Sequence, residues 1–189
     1  MKIKYIKIDN PEKIKYKINW QLPYDLFPLT IDREYTVYAI EYTEEGRINF
    51  FILDESGNIY PHNYPSEFFR VTDNRMSKYW DGFTGKENYP VEILFPNLIT
   101  FKEWKNNKYF EEEMMDDIGD ANVIFQKYQN LIDNEYPNNQ LQNAIPVGDN
   151  WVICYNCDEA WEIKNHDGII ECPKCHIKQN NPTPDSASL

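Results

Sequence analysis

Glycine and histidine are scarce in this chain, which has only 7 glycines and 3 histidines among its 189 residues. It contains no glycine-rich phosphate-binding loop, and no serine lies in the pattern of a nucleophile elbow. Outside the cysteine-containing end, the single histidine is His62, in the segment Tyr60–Pro65, whose prolines and aromatic residues predict a loop. These shortages count against nucleotide-phosphate binding and serine-hydrolase chemistry.

Long apolar runs are also missing. No stretch approaches the roughly 20 apolar residues that a membrane-spanning helix needs. The first seven residues alternate lysine with apolar residues instead of forming the apolar core of a signal peptide. We therefore expect a cytoplasmic protein with no membrane segment. Hydrophobic residues make up 41% and aromatic residues 15% of the chain, which predicts a packed core and excludes disorder for most of its length.

Basic residues are outnumbered, with 19 Lys and Arg against 31 Asp and Glu, and the formal net charge is −12. Residues 1–20 nevertheless hold six lysines and only two acidic residues, so the acidity belongs to the rest of the chain. Negative charge steers a protein toward basic partners and away from phosphates. A basic protein is therefore the expected partner, and nucleic acid is a weaker expectation.

The first 96 residues have the two-residue period of β-strands. Residues 13–20 alternate strictly and predict one strand of a hairpin whose turn is Asp9–Glu12. Its lysine face consists of Lys13, Lys15 and Lys17. This face is interpreted either as a solvated edge strand protected by its charges or, with Tyr16 or Trp20 stacking on bases, as a nucleic-acid contact.

Two further hairpins are predicted in the same part of the chain. Glu34–Tyr42 and Arg47–Asp54 are rich in β-branched and aromatic residues and flank a turn. Phe68–Val71 and Met76–Trp80 read as a shorter pair across a polar linker. Strands this short and closely spaced predict a small antiparallel sheet, strongly bent or forming a partly open barrel, over residues 1–96.

From residue 97 to 137 the period becomes helical. Thr100 and Glu103 have capping-box spacing and predict the start of one helix. Asp120 is placed to cap a second helix, which Pro137 terminates. The apolar stripe of the second helix comprises Ala121, Ile124, Phe125, Tyr128, Leu131 and Ile132. Residues 138–150 are interpreted as a connector and 182–189 as a flexible tail. The predicted fold class is α+β, with a small antiparallel sheet, two helices and a metal-binding end.

An acidic cluster lies between the two predicted helices. Glu112 and Asp116 are four residues apart and share a helical face. The cluster is interpreted as a solvated helix face, with a divalent-metal site as the alternative. The cluster consists of Glu111, Glu112, Glu113, Asp116, Asp117 and Asp120.

All the cysteines occur near the end of the chain, in two Cys-x2-Cys pairs separated by 14 residues. Paired thiols in a reducing compartment indicate metal ligands, and this spacing is typical of one tetrahedral Zn²⁺ site. An iron site or a redox dithiol is the alternative, and His176 is a competing ligand. The strand-like runs Ala160–Ile163 and Ile169–Glu171 predict a hairpin between the pairs. The four predicted metal ligands are Cys154, Cys157, Cys172 and Cys175.

The segment from residue 151 to about 179 resembles a zinc ribbon, and the four cysteines match its ligand positions. The resemblance implies one structural Zn²⁺, and we assign residues 151–181 to the ribbon. Residues 151–189 hold six acidic residues against three lysines. This charge disfavours phosphate binding by the ribbon.

The rest of the chain has a looser resemblance. The segments 64–69, 109–112 and 151–154 are similar to uncharacterised bacterial proteins associated with toxin–immunity loci. The favoured hypothesis is a non-enzymatic, zinc-binding protein that binds a basic partner, in its sharpest form an immunity or inhibitor protein for a basic toxin or nuclease. The alternative is a nucleic-acid-handling accessory protein using the N-terminal lysine face. A hydrolase would require Glu112, Asp116 and His62 to converge in one cleft.

Overall fold

The computed structural model describes residues 1–6, 27–44, 46–81, 97–138 and 140–184. Its fold is α+β, as predicted, with several small antiparallel sheets and few helices. The described strands are β1 Lys2–Tyr5, β2 Glu34–Thr36, β3 Ala39–Tyr42, β4 Ile48–Ile52, β5 His62–Pro65, β6 Phe69–Asp73, β7 Leu98–Ile99, β8 Ile145–Pro146, β9 Trp151–Ile153, β10 Ala160–Glu162, β11 Ile169–Glu171 and β12 Lys178–Asn180. The described helices are α1 Lys102–Lys105, α2 Phe110–Met115, α3 Ala121–Asp133 and a 3-10 turn at Ser66–Phe68.

The chain forms two compact units, Met1–Lys127 and Tyr128–Leu189. The division into five segments at residues 96, 137, 150 and 181 stays a prediction. The predicted hairpin at residues 9–20, with Lys13, Lys15 and Lys17, lies outside the described residues. Within the described ranges, no helix has the length and apolar character needed to cross a membrane.

The first unit contains a four-stranded sheet in the order β5-β4-β3-β7. Its centre is the predicted hairpin, since β3 and β4 pair antiparallel with Ile40 opposite Phe50. Gly46 adopts a left-handed conformation (φ 78°) in the turn, where its N–H donates to the carbonyl of Thr43. Glycine is favoured there because an L side chain rarely adopts positive φ. The hairpin was predictable because strands and turn are adjacent in sequence.

A second sheet in this unit has the order β2-β1-β6. The run predicted as one strand, Glu34–Tyr42, is divided between the sheets, because the chain leaves β1 after Thr36 and joins β4 at Ala39. Val37 and Tyr38, the residues at the crossing, are both buried. No closed barrel forms within the described residues.

The predicted hairpin of Phe68–Val71 with Met76–Trp80 is wrong. β6 pairs with β1, more than sixty residues earlier in the chain. Residues 76–80 form a turn instead, in which the Ser77 hydroxyl accepts the N–H of Tyr79. Ser77 is buried and its carbonyl accepts the N–H of Trp80. Short hydroxyl side chains of this kind offer backbone groups a local alternative to a strand ladder.

The predicted capping box does not form. The helix α1 begins after Phe101 with no side-chain cap, and the hydroxyl of the buried Thr100 donates to the carbonyl of Tyr38 at 3.1 Å. The first predicted helical segment consists of two short helices, α1 and α2. Trp104 of α1 stacks on Phe110 of α2 with 5.6 Å between ring centroids, which fixes one against the other.

The second predicted helix is confirmed as α3. All six predicted stripe residues share the expected face, where Ala121, Phe125 and Ile132 are buried and the other three, Ile124, Tyr128 and Leu131, are half-buried. An apolar stripe at helical spacing is what drives a helix of this length to pack.

The second unit contains two small sheets, β10-β9-β8 and β11-β12. The two predicted strands between the cysteine pairs are present, but they do not pair with each other. β10 pairs with β9 and β11 pairs with β12, so each cysteine pair sits in the turn of its own hairpin. The segment interpreted as a connector contributes β8 to the first of these sheets.

Candidate metal centre

The two cysteine-bearing turns have the same hydrogen-bond pattern, 18 residues apart. In the first, the N–H of Cys154 donates to the carbonyl of Glu159 at 2.8 Å, and the carbonyl of Cys154 accepts the N–H of Asp158 at 3.1 Å. In the second, the N–H of Cys172 donates to the carbonyl of Ile177 at 3.1 Å, and its carbonyl accepts the N–H of His176 at 3.0 Å.

One residue in each turn is left-handed, Asp158 (φ 58°) and His176 (φ 57°). Each follows the second cysteine of its pair. This conformation closes the turn within a few residues and returns the chain to the second strand of the hairpin. Both cysteines of a pair are thereby held on one turn.

The two turns bring the four sulfur atoms together. The Sγ atoms of Cys154, Cys157, Cys172 and Cys175 all lie within 4.8 Å of one another. The distance is 3.7 Å from Cys154 to Cys175 and 3.6 Å from Cys157 to Cys172, and all four thiols are free. Four sulfurs bound tetrahedrally at 2.3 Å from a zinc ion would lie about 3.8 Å apart. The four cysteines are positioned to coordinate one metal ion.

Backbone amides favour the thiolate form of Cys154 and Cys175, whereas hydrogen bonds with the neighbouring cysteines raise the pKa of Cys157. The N–H of Asn156 donates to Sγ of Cys154 at 3.4 Å. Burial alone would raise the pKa of the Cys154 thiol, but the N–H groups of Asn156 and Cys157, together with the side chains of Cys175 and Cys157, lower this pKa to about 6. The N–H of Ile177 likewise lowers the pKa of Cys175. Thiolates, and not thiols, are the form that binds metal.

His176 does not join the cysteines. Its Nδ1 atom lies 3.0 Å from Oε1 of Glu171, and its side chain is 74% exposed. The convergent group contains the four cysteines alone. The left-handed turn directs this histidine to the surface, so the competing ligand considered from the sequence is not placed to act as one.

The unit that holds the four cysteines contains a small apolar cluster. Ala144, Val152, Ile163 and Ile170 are buried together, and Trp161 packs against them. Gln179 is fully buried and its Oε1 accepts the N–H of Tyr155 at 3.4 Å, which ties the first cysteine turn to β12. With four buried apolar side chains, this cluster gives the two hairpins a limited hydrophobic stabilisation.

His62 lies in a strand and not in the predicted loop. Its Nδ1–H donates to Oδ2 of Asp54 at 2.6 Å, and Nε2 lies 3.2 Å from the amide of Asn58. Tyr64 donates its hydroxyl to the same Asp54 oxygen at 2.5 Å. β5 is an edge strand, which is why it tolerates Pro65. Sequence analysis missed Asp54, although the alternation of His62 and Tyr64 could have indicated that they share a face.

The acidic cluster does not gather around His62. Glu112 and Asp116 are exposed on α2 and at its end. Among the described residues, the four cysteines are the only group of three or more His, Cys, Asp or Glu side chains that could hold one metal ion. Glu112, Asp116 and His62 therefore do not form such a metal-holding group.

Comparison with known proteins found no matching family model, no matching curated protein and no matching solved structure. The comparisons thus give no support to the resemblance with proteins of toxin–immunity loci.

Proposed function

We propose that Cys154, Cys157, Cys172 and Cys175 bind one Zn²⁺ ion that holds the second unit together. The observation that carries this proposal is the separation of the sulfur atoms, 3.6 and 3.7 Å across the two turns, which fits tetrahedral coordination by zinc. Two cysteines come from each hairpin, so the ion would link the hairpins directly.

The proposed role of the zinc is structural and not catalytic. Four protein sulfurs fill a tetrahedral shell and leave no position for water or substrate. The apolar cluster that joins the two hairpins through Val152 and Ile170 is small, and a structural zinc supplies roughly 10–16 kcal/mol of apparent binding free energy at neutral pH. That free energy would offset the limited core.

Metal content and substitution test this proposal. We expect the purified chain to carry one zinc ion per molecule by mass spectrometry and to give the absorption of tetrahedral cobalt thiolates after Co²⁺ exchange. Cys172→Ser should lose the metal, whereas His176→Ala should keep it, because that side chain is exposed and bonded to Glu171. Full zinc content in Cys172→Ser, or iron in the wild type, would contradict the assignment.

We propose further that the chain is a non-enzymatic binding protein for a basic protein partner. The net charge of −12 supports this, because an acidic surface attracts basic proteins and repels phosphates. The most specific version of this hypothesis is that the chain inhibits a basic toxin or nuclease. The alternative, a nucleic-acid contact by Lys13, Lys15 and Lys17, rests on the sequence alone.

Affinity capture separates the two possibilities. The tagged full chain is used as bait at low and high salt, and the recovered material is analysed for proteins and for nucleic-acid absorbance. A stoichiometric basic protein retained at high salt fits the proposal. Recovery of nucleic acid that washes off with salt contradicts it, because counterion release makes phosphate contacts salt-sensitive.

A further inference from the structure

One face of the sheet formed by β8, β9 and β10 is apolar and exposed. Ile145 lies opposite Ile153, and the N–H of Val147 donates to the carbonyl of Trp151 at 2.9 Å. Directly opposed residues and residues two apart on a strand share a face of the sheet. The set Ile145, Val147, Trp151 and Ile153 is therefore one surface, called the Trp151 face below.

The Trp151 face is the unburied side of this sheet. Val152, which points the other way, is 1% exposed and belongs to the apolar cluster of the unit. On the Trp151 face, Ile145, Val147 and Trp151 are 50%, 52% and 49% exposed. Single exposed apolar residues are ordinary, but a contiguous group indicates a binding surface. Tryptophan is also enriched among the residues that dominate binding energy at interfaces.

The charged residues of this sheet and its turns are all acidic, and Lys174 is paired with one of them, Glu159, at 3.1 Å. Residues 128–163, which include the whole sheet, contain no lysine and no arginine. Asp149 lies in the turn between β8 and β9, and Glu162 of β10 is directly opposite Trp151. A partner with Lys or Arg side chains around an apolar centre complements this surface. A second copy of the same acidic chain would place like charges against each other.

We propose that the Trp151 face is the surface on which this chain binds its basic protein partner. An apolar side chain of the partner packs on Trp151 and Val147, while its Lys or Arg side chains lie near Asp149 and Glu162. This inference rests on the proposed protein-binding function and assigns a surface to it.

The test uses the full zinc-loaded chain and a phage-displayed library of random peptides as the probe. Trp151→Thr and Val147→Thr remove the apolar groups, and threonine is a β-branched residue that suits strand positions. Val71→Thr is the matched control, since Val71 is a strand residue in the other unit and is 44% exposed. Zinc content is measured for every variant, so that loss of the fold is recognised.

We expect the wild type and Val71→Thr to select peptides in which an aromatic or aliphatic residue is flanked by basic residues. A synthetic peptide with the selected sequence should bind Trp151→Thr at least about tenfold more weakly, as is usual when an interface tryptophan is truncated. Val147→Thr should show a smaller loss in the same direction.

Three results would overturn the inference. Equal binding of a basic peptide to wild type and Trp151→Thr shows that partner binding is real but uses another surface. Failure of the wild type to select basic peptides contradicts the proposed function together with the inference. Concentration-dependent dimers of the wild type that are lost in Trp151→Thr, measured by sedimentation equilibrium, assign the face to a second copy.

Discussion

The Nδ1 atom of His62 lies 2.6 Å from Oδ2 of Asp54, and the two side chains are only 7% and 1% exposed. The register explains the contact, because His62 is directly opposite Ile52 in the β4–β5 pair and Asp54 follows two residues later. Tyr64, next but one on β5, donates to the same oxygen. A buried carboxylate is thus satisfied by two side chains of one neighbouring strand.

This pair gives the protein a defined acid sensitivity. Burial alone would raise the pKa of Asp54, but hydrogen bonds from His62, Ser56 and Tyr64 hold it well below its usual value of 3.8. A carboxylate whose pKa is lower in the folded than in the unfolded state stabilises the native state at pH values above the unfolded-state pKa. This stabilisation is lost progressively as the pH falls from the unfolded-state pKa toward the folded-state pKa. We expect Asp54→Asn to cost about 2 kcal/mol at neutral pH and progressively less below about pH 4.

Urea unfolding of wild type and Asp54→Asn across this pH range, followed by circular dichroism, measures the difference. Asp116→Asn is the control, because that carboxylate is exposed at the end of α2. A difference between wild type and Asp54→Asn that stays constant down to pH 3, or grows, would contradict the assigned role of Asp54.

Position 168 must be glycine because the backbone of Tyr136 and Pro137 lies directly against it. A Cβ atom at this position would overlap the carbonyl carbon of Tyr136 and the nitrogen of Pro137, and would lie 2.6 Å from Cα of Tyr136. Backbone atoms cannot rotate away as side chains do, so Gly168→Ala should destabilise the second unit by about 3 kcal/mol. Gly148→Ala should have little effect, since nothing lies within 4 Å of its added Cβ. Hydrogen exchange in β11 and β12 measures both variants.

Asn180 fixes the segment that precedes β8. Its side-chain oxygen accepts the N–H of Asn138 at 2.7 Å, and its amide donates to the carbonyls of Asn138 and Leu141 at 2.9 Å each. Asn180→Ala removes these three hydrogen bonds, leaving the carbonyl of Asn138 with the N–H of Leu141 as its partner, and should cost about 2–3 kcal/mol. Exchange of amides 138–144 should then accelerate. The exposed Asn165→Ala is the control, and equal acceleration in both variants would refute the role given to Asn180.

Removal of metal should affect the two units differently. In the zinc-loaded chain, a strong chelator is expected to abolish hydrogen-exchange protection in β9–β12, because the proposed ion joins hairpins that share only a small apolar cluster. Protection in β3 and β4 should remain, because that sheet packs against aromatic side chains. The ring centroids of Phe51 in β4 and Trp104 are 5.1 Å apart. Unchanged protection in β9–β12 would contradict a structural role for the metal.

Features encoded by neighbouring residues were predictable from the sequence. The β3–β4 hairpin, the stripe of α3 and the clustering of the cysteines each depend on residues separated by a few positions or by a familiar spacing. Local alternation and helical period report which side chains share a face.

Features that depend on distant partners were not predictable. β6 pairs with β1, the Thr100 hydroxyl bonds to Tyr38, and His62 becomes a strand residue because β4 lies beside it. In the second unit, β10 and β11 were predicted as strands, but their partners β9 and β12 were not. Each Cys-x2-Cys turn closes its own hairpin, and the hairpin predicted between the two pairs does not form.

The matching geometry of the two cysteine turns has a consequence for how the centre assembles. Each turn closes over so few residues that it can form before the rest of the unit, presenting a two-sulfur half-site. A metal ion can be captured by one half-site first and then recruit the other across the intervening chain. The hairpin that binds the ion first would then fold before the other hairpin joins it. The folding rate of this unit would depend on the free metal concentration.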